Sequence, residues 1–246
     1  MKLFFSPSKG MKYKNFKNLK EFQSSSQNGD LKIKTENLVE TLKTLSKEEL
    51  AKLLKVKDTL LEDTYNQYKF YYEQEEREAI SLYDGVSFKQ LDLESFSDLE
   101  FDYIKSSVLI FSALYGINFG SNLIRPYRLD MTNKILDISP YTFWNESIEN
   151  FLLPYKDEIF VNIASKEFSK ILNRKLFNVI DIEFRQVVDE KIKNISTEAK
   201  KARGAMLNYL IQIKADNISQ IKEFDRLGYK FSEDDSSENV FIFLKR

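Results

Sequence analysis

Residues 107 to 116 read SVLIFSALYG, a short apolar run closed by a glycine. A run of that length and character fits a buried strand ending in Gly116. It follows DLESFSDLEFDYIKS at 92–106, which has the pattern of a short amphipathic helix. Outward from this pair the alternation of strand and helix continues in both directions. KLFF at 2–5 reads as a short buried strand stopped by Pro7, and the polar segment Lys12 to Asp30, with SSSQNGD at 24–30, reads as loop. From Glu36 to about Ile80 leucines and tyrosines recur at helical spacing, with a Ser46/Glu49 capping box inside the segment. Downstream, a helix is expected over Thr142 to Leu153, a strand in EIFVNIAS at 158–165 and a helix in KEFSKILN at 166–173. FNVIDIEFRQVV at 177–188 is rich in β-branched residues and alternates from Val179 onward. A helix then runs from Ser196 or Thr197 to about Ile213, a shorter one covers Ser219 to Leu227, and YKF with NVFIFLKR forms a closing hairpin. Strands interleaved with helices predict a mixed α/β (α+β) domain, a mixed sheet covered by helices. No repeat, linker or low-complexity block divides residues 1–246, so one compact domain is expected.

Composition removes whole classes of chemistry. The 246 residues include no cysteine and no histidine, which excludes disulfides, thiolate nucleophiles, Cys/His zinc sites and His-dependent triads. Catalysis would have to use carboxylates, Lys, Tyr, Ser or Thr, and a metal would need oxygen ligands. With 37 basic and 38 acidic residues the net charge is -1. Attraction to a polyanion would therefore have to come from a local patch. No apolar run reaches the roughly 20 residues of a membrane span, and MKLFFSPSKG is too short for a signal-peptide core. A cytoplasmic protein with no membrane partner is the expectation.

Four stretches are candidates for chemistry. AKKARGAM at 199–206 sets Gly204 among Lys200, Lys201 and Arg203 on a helix; at about 100° per residue the glycine falls within the arc the three cations bracket. Two readings stand side by side: the glycine clears space for a phosphate, or it lets the helix pack closely on a neighbour. IRPYRLDM at 124–131 offers Arg125 and Arg128 as planar forks for phosphate or carboxylate, or as partners of Asp130 and other acids. SPSK at 6–9 places Ser6 and Lys9 at a strand end, where sites in open α/β sheets lie. EDDSSEN at 233–239 carries four carboxylates without the EF-hand pattern and reads first as a solvated hairpin loop.

Together SPSK, YDGVSF at 83–88, ALYG at 113–116, PYRLDM at 126–131, FW at 143–144, VNIAS at 161–165, AKKARGAM and LGYKF at 227–231 resemble the YaaA family of bacterial peroxide-stress proteins, nearly end to end. The resemblance implies an unusual mixed α/β topology, a cytoplasmic role in limiting iron-driven oxidative damage, and binding to DNA through a basic cleft, with no settled enzymatic activity. It departs from the family at Ser8 and Gly10, and at Asn118, Phe119 and Gly120, where the family carries a second Arg-Pro element. The expected phosphate contacts are Ser6, Lys9, Arg125, Arg128, Lys200, Lys201, Arg203 and Gly204. Tyr115, Tyr127 and Trp144 are candidates for stacking on unpaired bases. The expected partner is DNA, duplex or structured, bound without sequence specificity by a monomer; no cofactor and no metal ligand are assigned. Two rival classes stay open. One is an enzyme acting on a nucleotide or other phosphorylated small molecule, with Asp84 or Asp130 as general base; the other is an iron-sequestering protein using oxygen ligands.

Overall fold

A computed structural model describes residues 1–16, 24–27, 29–135 and 137–246. In chain order the elements are β1 (Lys2–Phe5), β2 (Ser25–Ser26), α1 (Gly29–Thr44), α2 (Lys47–Leu54), α3 (Asp58–Lys69), β3 (Arg77–Glu78), α4 (Ala79–Leu82), α5 (Asp98–Ser107), β4 (Val108–Ser112), β5 (Gly116–Phe119) and β6 (Asn122–Ile124). There follow α6 (Pro140–Leu152), β7 (Ile159–Asn162), α7 (Lys166–Ser169), β8 (Asn178–Val188), β9 (Lys191–Lys193), α8 (Ser196–Gln212), α9 (Ile218–Lys222), β10 (Tyr229–Ser237) and β11 (Val240–Lys245).

The main sheet runs β10-β11-β8-β7-β1-β4-β5, with β9 paired to β8, and β2-β6-β3 form a second small sheet. Its centre is parallel: β1 lies between β4 and β7, and β8 between β7 and β11. Antiparallel strands close the edges. The fold is thus mixed α/β. Every residue of β1 and β4 is buried, as strands covered on both faces must be. Phe4 stacks on Phe111 and Phe160 across the parallel centre.

Several boundaries differ from the sequence expectation for local reasons. The run at 107–116 is not one strand. Ser112 Oγ accepts hydrogen bonds from the backbone N–H groups of Leu114 (3.2 Å) and Tyr115 (2.9 Å), turning the chain, and Gly116, at φ 70°, starts β5 back along β4. The helical stretch from 36 to 80 is broken into α1, α2 and α3: the Ser46/Glu49 box starts α2 and left-handed Lys55 ends it. The helices expected at 166–173 and 219–227 shorten to α7 and α9. The acidic stretch at 233–239 is mostly strand, continuing β10 to Ser237. The polar segment from Lys12 to Asp30 lies partly outside the described residues; its described end forms β2 and the first turn of α1. Among the described residues no helix is long and apolar enough to cross a membrane.

Candidate phosphate-binding cavity

β1 finds its next parallel partner, β4, on one side, whereas β7, its neighbour on the other side, leads to β8. The chain therefore diverges from the β1/β7 seam, and crevices at such points, beyond the strands' carboxyl ends, are where open α/β sheets bind ligands. A cavity of about 370 Å³ opens there. Five segments line it: Phe5 to Lys9 after β1, Gly85 to Phe88, Tyr127 to Asp130, residues between Ile163 and Phe168 after β7, and Lys200 with Arg203 on α8.

Each segment is held by identifiable contacts. Ser6 Oγ accepts the Ser165 N–H at 2.8 Å, tying the ends of β1 and β7 together. Ser8 Oγ donates to the Asp84 carbonyl (3.2 Å) and accepts the Gly10 N–H (3.2 Å), while Asp84 N–H donates to the Gly10 carbonyl (2.8 Å). Ser87 Oγ donates to the Lys200 carbonyl at 2.8 Å, docking the 85–88 loop on α8. Tyr68 donates to the Arg128 carbonyl at 2.7 Å, and Tyr115 accepts the Arg125 N–H at 2.8 Å, so buried phenols brace the Arg-Pro-Tyr-Arg segment.

The expected site residues divide. Ser6, Lys9, Arg128, Lys200 and Arg203 come together around the cavity. Lys9 is ion-paired to Asp130 at 2.6 Å. Arg128, Lys200 and Arg203 make no side-chain hydrogen bond or ion pair with any described residue. Arg203 carries the sharpest anomaly: its Nε is buried without a partner. Burial pulls its pKa below the ordinary value, and attraction to Glu183 opposes the shift. Glu183 is already engaged by Lys166 (3.1 Å) and Arg185 (2.6 Å). A guanidinium does not deprotonate in proteins, and a buried charge without its partner is strongly unfavourable. An anion in the cavity would supply what Arg203 lacks.

Arg125 and Lys201 lie outside the cavity. Arg125 pairs with Glu76 at 2.7 Å, donates to the Gln74 carbonyl and lies over Tyr71 and Tyr72. Lys201 pairs with Glu198 at 2.8 Å, one turn back on α8. Gly204 resolves the question its helix raised in favour of packing. The Ser87 carbonyl occupies the space beside it, and a Cβ there would stand 2.8 Å from the Ser87 carbonyl carbon and 2.9 Å from Gln90 Cβ. The glycine admits the loop that walls the cavity, and that loop fills the space.

The stacking candidates are also corrected. Trp144 is fully buried, its Nε1–H donating to the Ala113 carbonyl at 2.9 Å. Tyr115 is buried with its hydroxyl on that of Tyr71. Neither ring has a face for a base. Tyr127 lines the cavity, but its hydroxyl is bound by Ser112 (2.7 Å) and Tyr83 (2.8 Å), and burial raises its pKa to about 12. Of the two carboxylates considered as bases, Asp84 is held by Lys14 at 2.8 Å, which lowers its pKa, and is not on the cavity wall. Asp130 is on the wall, paired to Lys9. Sequence reasoning missed Val86, Ser87, Ser165, Glu167 and Phe168. Val86 and Ser87 lie in the YDGVSF motif and Ser165 closes both the VNIAS motif and the predicted strand, so these three had a usable signal, whereas Glu167 and Phe168 had none. Among the described residues no group of three Asp or Glu could hold a metal ion.

Comparison with known proteins agrees with this end-to-end pattern. The family described as peroxide stress protein YaaA matches residues 1–235. A UPF0246 protein of Fusobacterium nucleatum is 40% identical over 250 residues, covering 100% of this chain and 99% of its own. One of Malacoplasma penetrans is 34% identical with the same coverage, and one of Rickettsia felis is 33% identical over 86% of this chain and 88% of its own. The chain belongs to the YaaA family of peroxide stress proteins.

Proposed function

We propose that this peroxide stress protein acts by binding DNA, engaging backbone phosphate at the cavity through Arg128, Lys200 and Arg203. One observation carries the reading: three cations from two segments far apart in sequence, Arg128 and the Lys200/Arg203 pair of α8, converge on one concavity without a carboxylate partner, and one of them is buried with its Nε unmet. In a chain of net charge -1 such a cluster is a local anion trap rather than a consequence of general basicity. Arginine forks suit phosphate oxygens geometrically, and lysine adds a mobile point charge. Contacts of this kind fix a backbone without reading bases, which supports binding without sequence specificity. With neither cysteine nor histidine, the side chains provide no thiolate or imidazole with which to consume peroxide. Occupying DNA so as to limit iron-driven damage to it is the mode of protection that fits a phosphate-binding surface.

The test is a titration of fluorescent duplex with the wild type over a range of salt concentrations. Three phosphate contacts predict a log-log slope of about -2.7. A flat salt response, or no binding at low salt, overturns the proposal.

A further inference from the structure

The cavity is a poor match for polymer contact alone. Arg125 and Lys201, which would extend the cationic track beyond it, are committed to Glu76 and Glu198. What remains has the dimensions of a small-molecule pocket, within the usual range of about 300–1,000 Å³. Its walls are of two kinds. One set is cationic, and the other is apolar and partly aromatic: Phe5, Phe88, Leu129, Ile163 and Phe168. The charge sum is also specific. Lys9, Arg128, Lys200 and Arg203 give four positive charges, and Asp130 and Glu167 give two negative ones, leaving a surplus of two. A phosphate monoester carries about -1.5 to -2 at neutral pH, so one such group neutralises the surplus. A triphosphate would overshoot it and meet the two carboxylates. Those carboxylates accept hydrogen bonds only, so the rest of the ligand must bring donors.

We infer that the cavity binds a free nucleoside 5′-monophosphate, its phosphate on Arg128, Lys200 and Arg203, its base against the phenylalanine wall, and amino or hydroxyl donors facing Asp130 and Glu167. The inference rests on the anion-binding half of the proposed function. It adds a ligand class that DNA contact does not require, and makes that ligand a competitor of DNA for the same cations. Arg203 is the group most changed by occupancy, because its buried Nε gains an acceptor at no cost to an existing bond.

Calorimetric titration of the full chain with adenosine 5′-monophosphate, adenosine and inorganic phosphate tests this. The monophosphate should bind at least tenfold more tightly than either fragment and than adenosine triphosphate. Arg203→Met keeps an aliphatic stem in the packed position and removes the unmet charge; it should lose binding at least tenfold with no fall in melting temperature. If that variant fails to fold, Lys200→Ala, at an exposed position, carries the same test with a smaller loss. Equal affinity for phosphate and the monophosphate, or no binding of the monophosphate, overturns the inference. DNA binding that persists without monophosphate binding leaves the proposed function standing and removes only the inference. Monophosphate binding in the absence of DNA binding does the reverse, and displacement of DNA by the monophosphate supports both.

Discussion

The carbonyl of Ser87 fills the one gap in the side-chain surface of α8, at Gly204. The Ser87 hydroxyl meanwhile bonds the carbonyl of Lys200, one turn earlier. The loop that walls the cavity and the helix that supplies two of its cations are thus locked together at a residue with no side chain. Gly204→Ala separates two effects of opposite sign. Helix propensity alone favours alanine by about 1 kcal/mol, whereas forcing a methyl group against a backbone carbonyl in a packed site costs about 1–3 kcal/mol. The obstructing atoms are mainly backbone, so the second effect should win. Denaturant melts should show the variant less stable than the wild type, and a more stable variant would mean that the loop yields freely.

Lys200 and Lys201 are neighbours with opposite commitments, since only the second has a carboxylate partner, Glu198. Lys200→Ala should reduce the salt slope of DNA binding by about 1, and Arg128→Ala should do the same. Lys201→Ala should leave the slope unchanged, because Lys201 is paired to Glu198 and lies outside the cavity. Equal losses for Lys200→Ala and Lys201→Ala in the same titration would show that general basicity of α8, rather than the cavity, attracts the polymer.

How far the sequence reveals this arrangement depends on the range of each interaction. KLFF, the 177–188 alternation and the Ser46 box are local, and they appear in the structure as β1, β8 and the start of α2. The fold class follows from their order. β5 and β6 were not legible, because their short runs of Gly, Ile and Asn become strands only when β4, for β5, and the distant strands β2 and β3, for β6, offer hydrogen bonds. In the site, the residue types at Lys9, Arg128, Lys200 and Arg203 were legible, but their convergence was not. The fate of Arg125 turned on Glu76, 49 residues earlier, and the burial of Tyr115 and Trp144 on packing between elements far apart in sequence, whereas the Lys201–Glu198 pair, three residues apart on α8, was within reach of the sequence. Gly204 illustrates the limit: its two readings predict the same sequence, and only the position of Ser87 separates them.

Glu100 anchors the start of α5 and reaches Lys214 after α8, at 2.5 Å. The Lys214 hydrogen bond, followed by those from Ser97, lowers its pKa from 4.5 to about 2. A depressed carboxylate stabilises the fold above its unfolded pKa, and that stabilisation is lost as pH falls through the folded value. The melting-temperature difference between wild type and Glu100→Gln should therefore be largest near neutrality, shrink below about pH 4.5 and vanish near pH 2. A difference constant over that range would show that the loss on substitution is steric rather than ionic.

Five tyrosines, Tyr68, Tyr71, Tyr83, Tyr115 and Tyr127, are buried together behind the cavity, and burial is the leading cause of the raised pKa of each. A raised phenol pKa means that the folded chain keeps protons the unfolded chain releases near pH 10. The linked stability is complete below about pH 10 and lost as pH rises toward the folded values. In an alkaline titration followed by phenolate absorbance, the exposed tyrosines should ionise gradually. The buried five, together with the equally buried Tyr229 at the far side of the sheet, should ionise in one cooperative step that coincides with loss of the circular dichroism signal. Tyr127→Phe should remove one phenol from that step. It should also leave the Ser112 and Tyr83 hydroxyls without their shared partner, at about 1 kcal/mol, and so bring the step to lower pH. Gradual ionisation of all 13 tyrosines with the dichroism intact would mean that the braces behind Arg128 open to solvent in the folded state, and the rigid cavity wall would have to be given up.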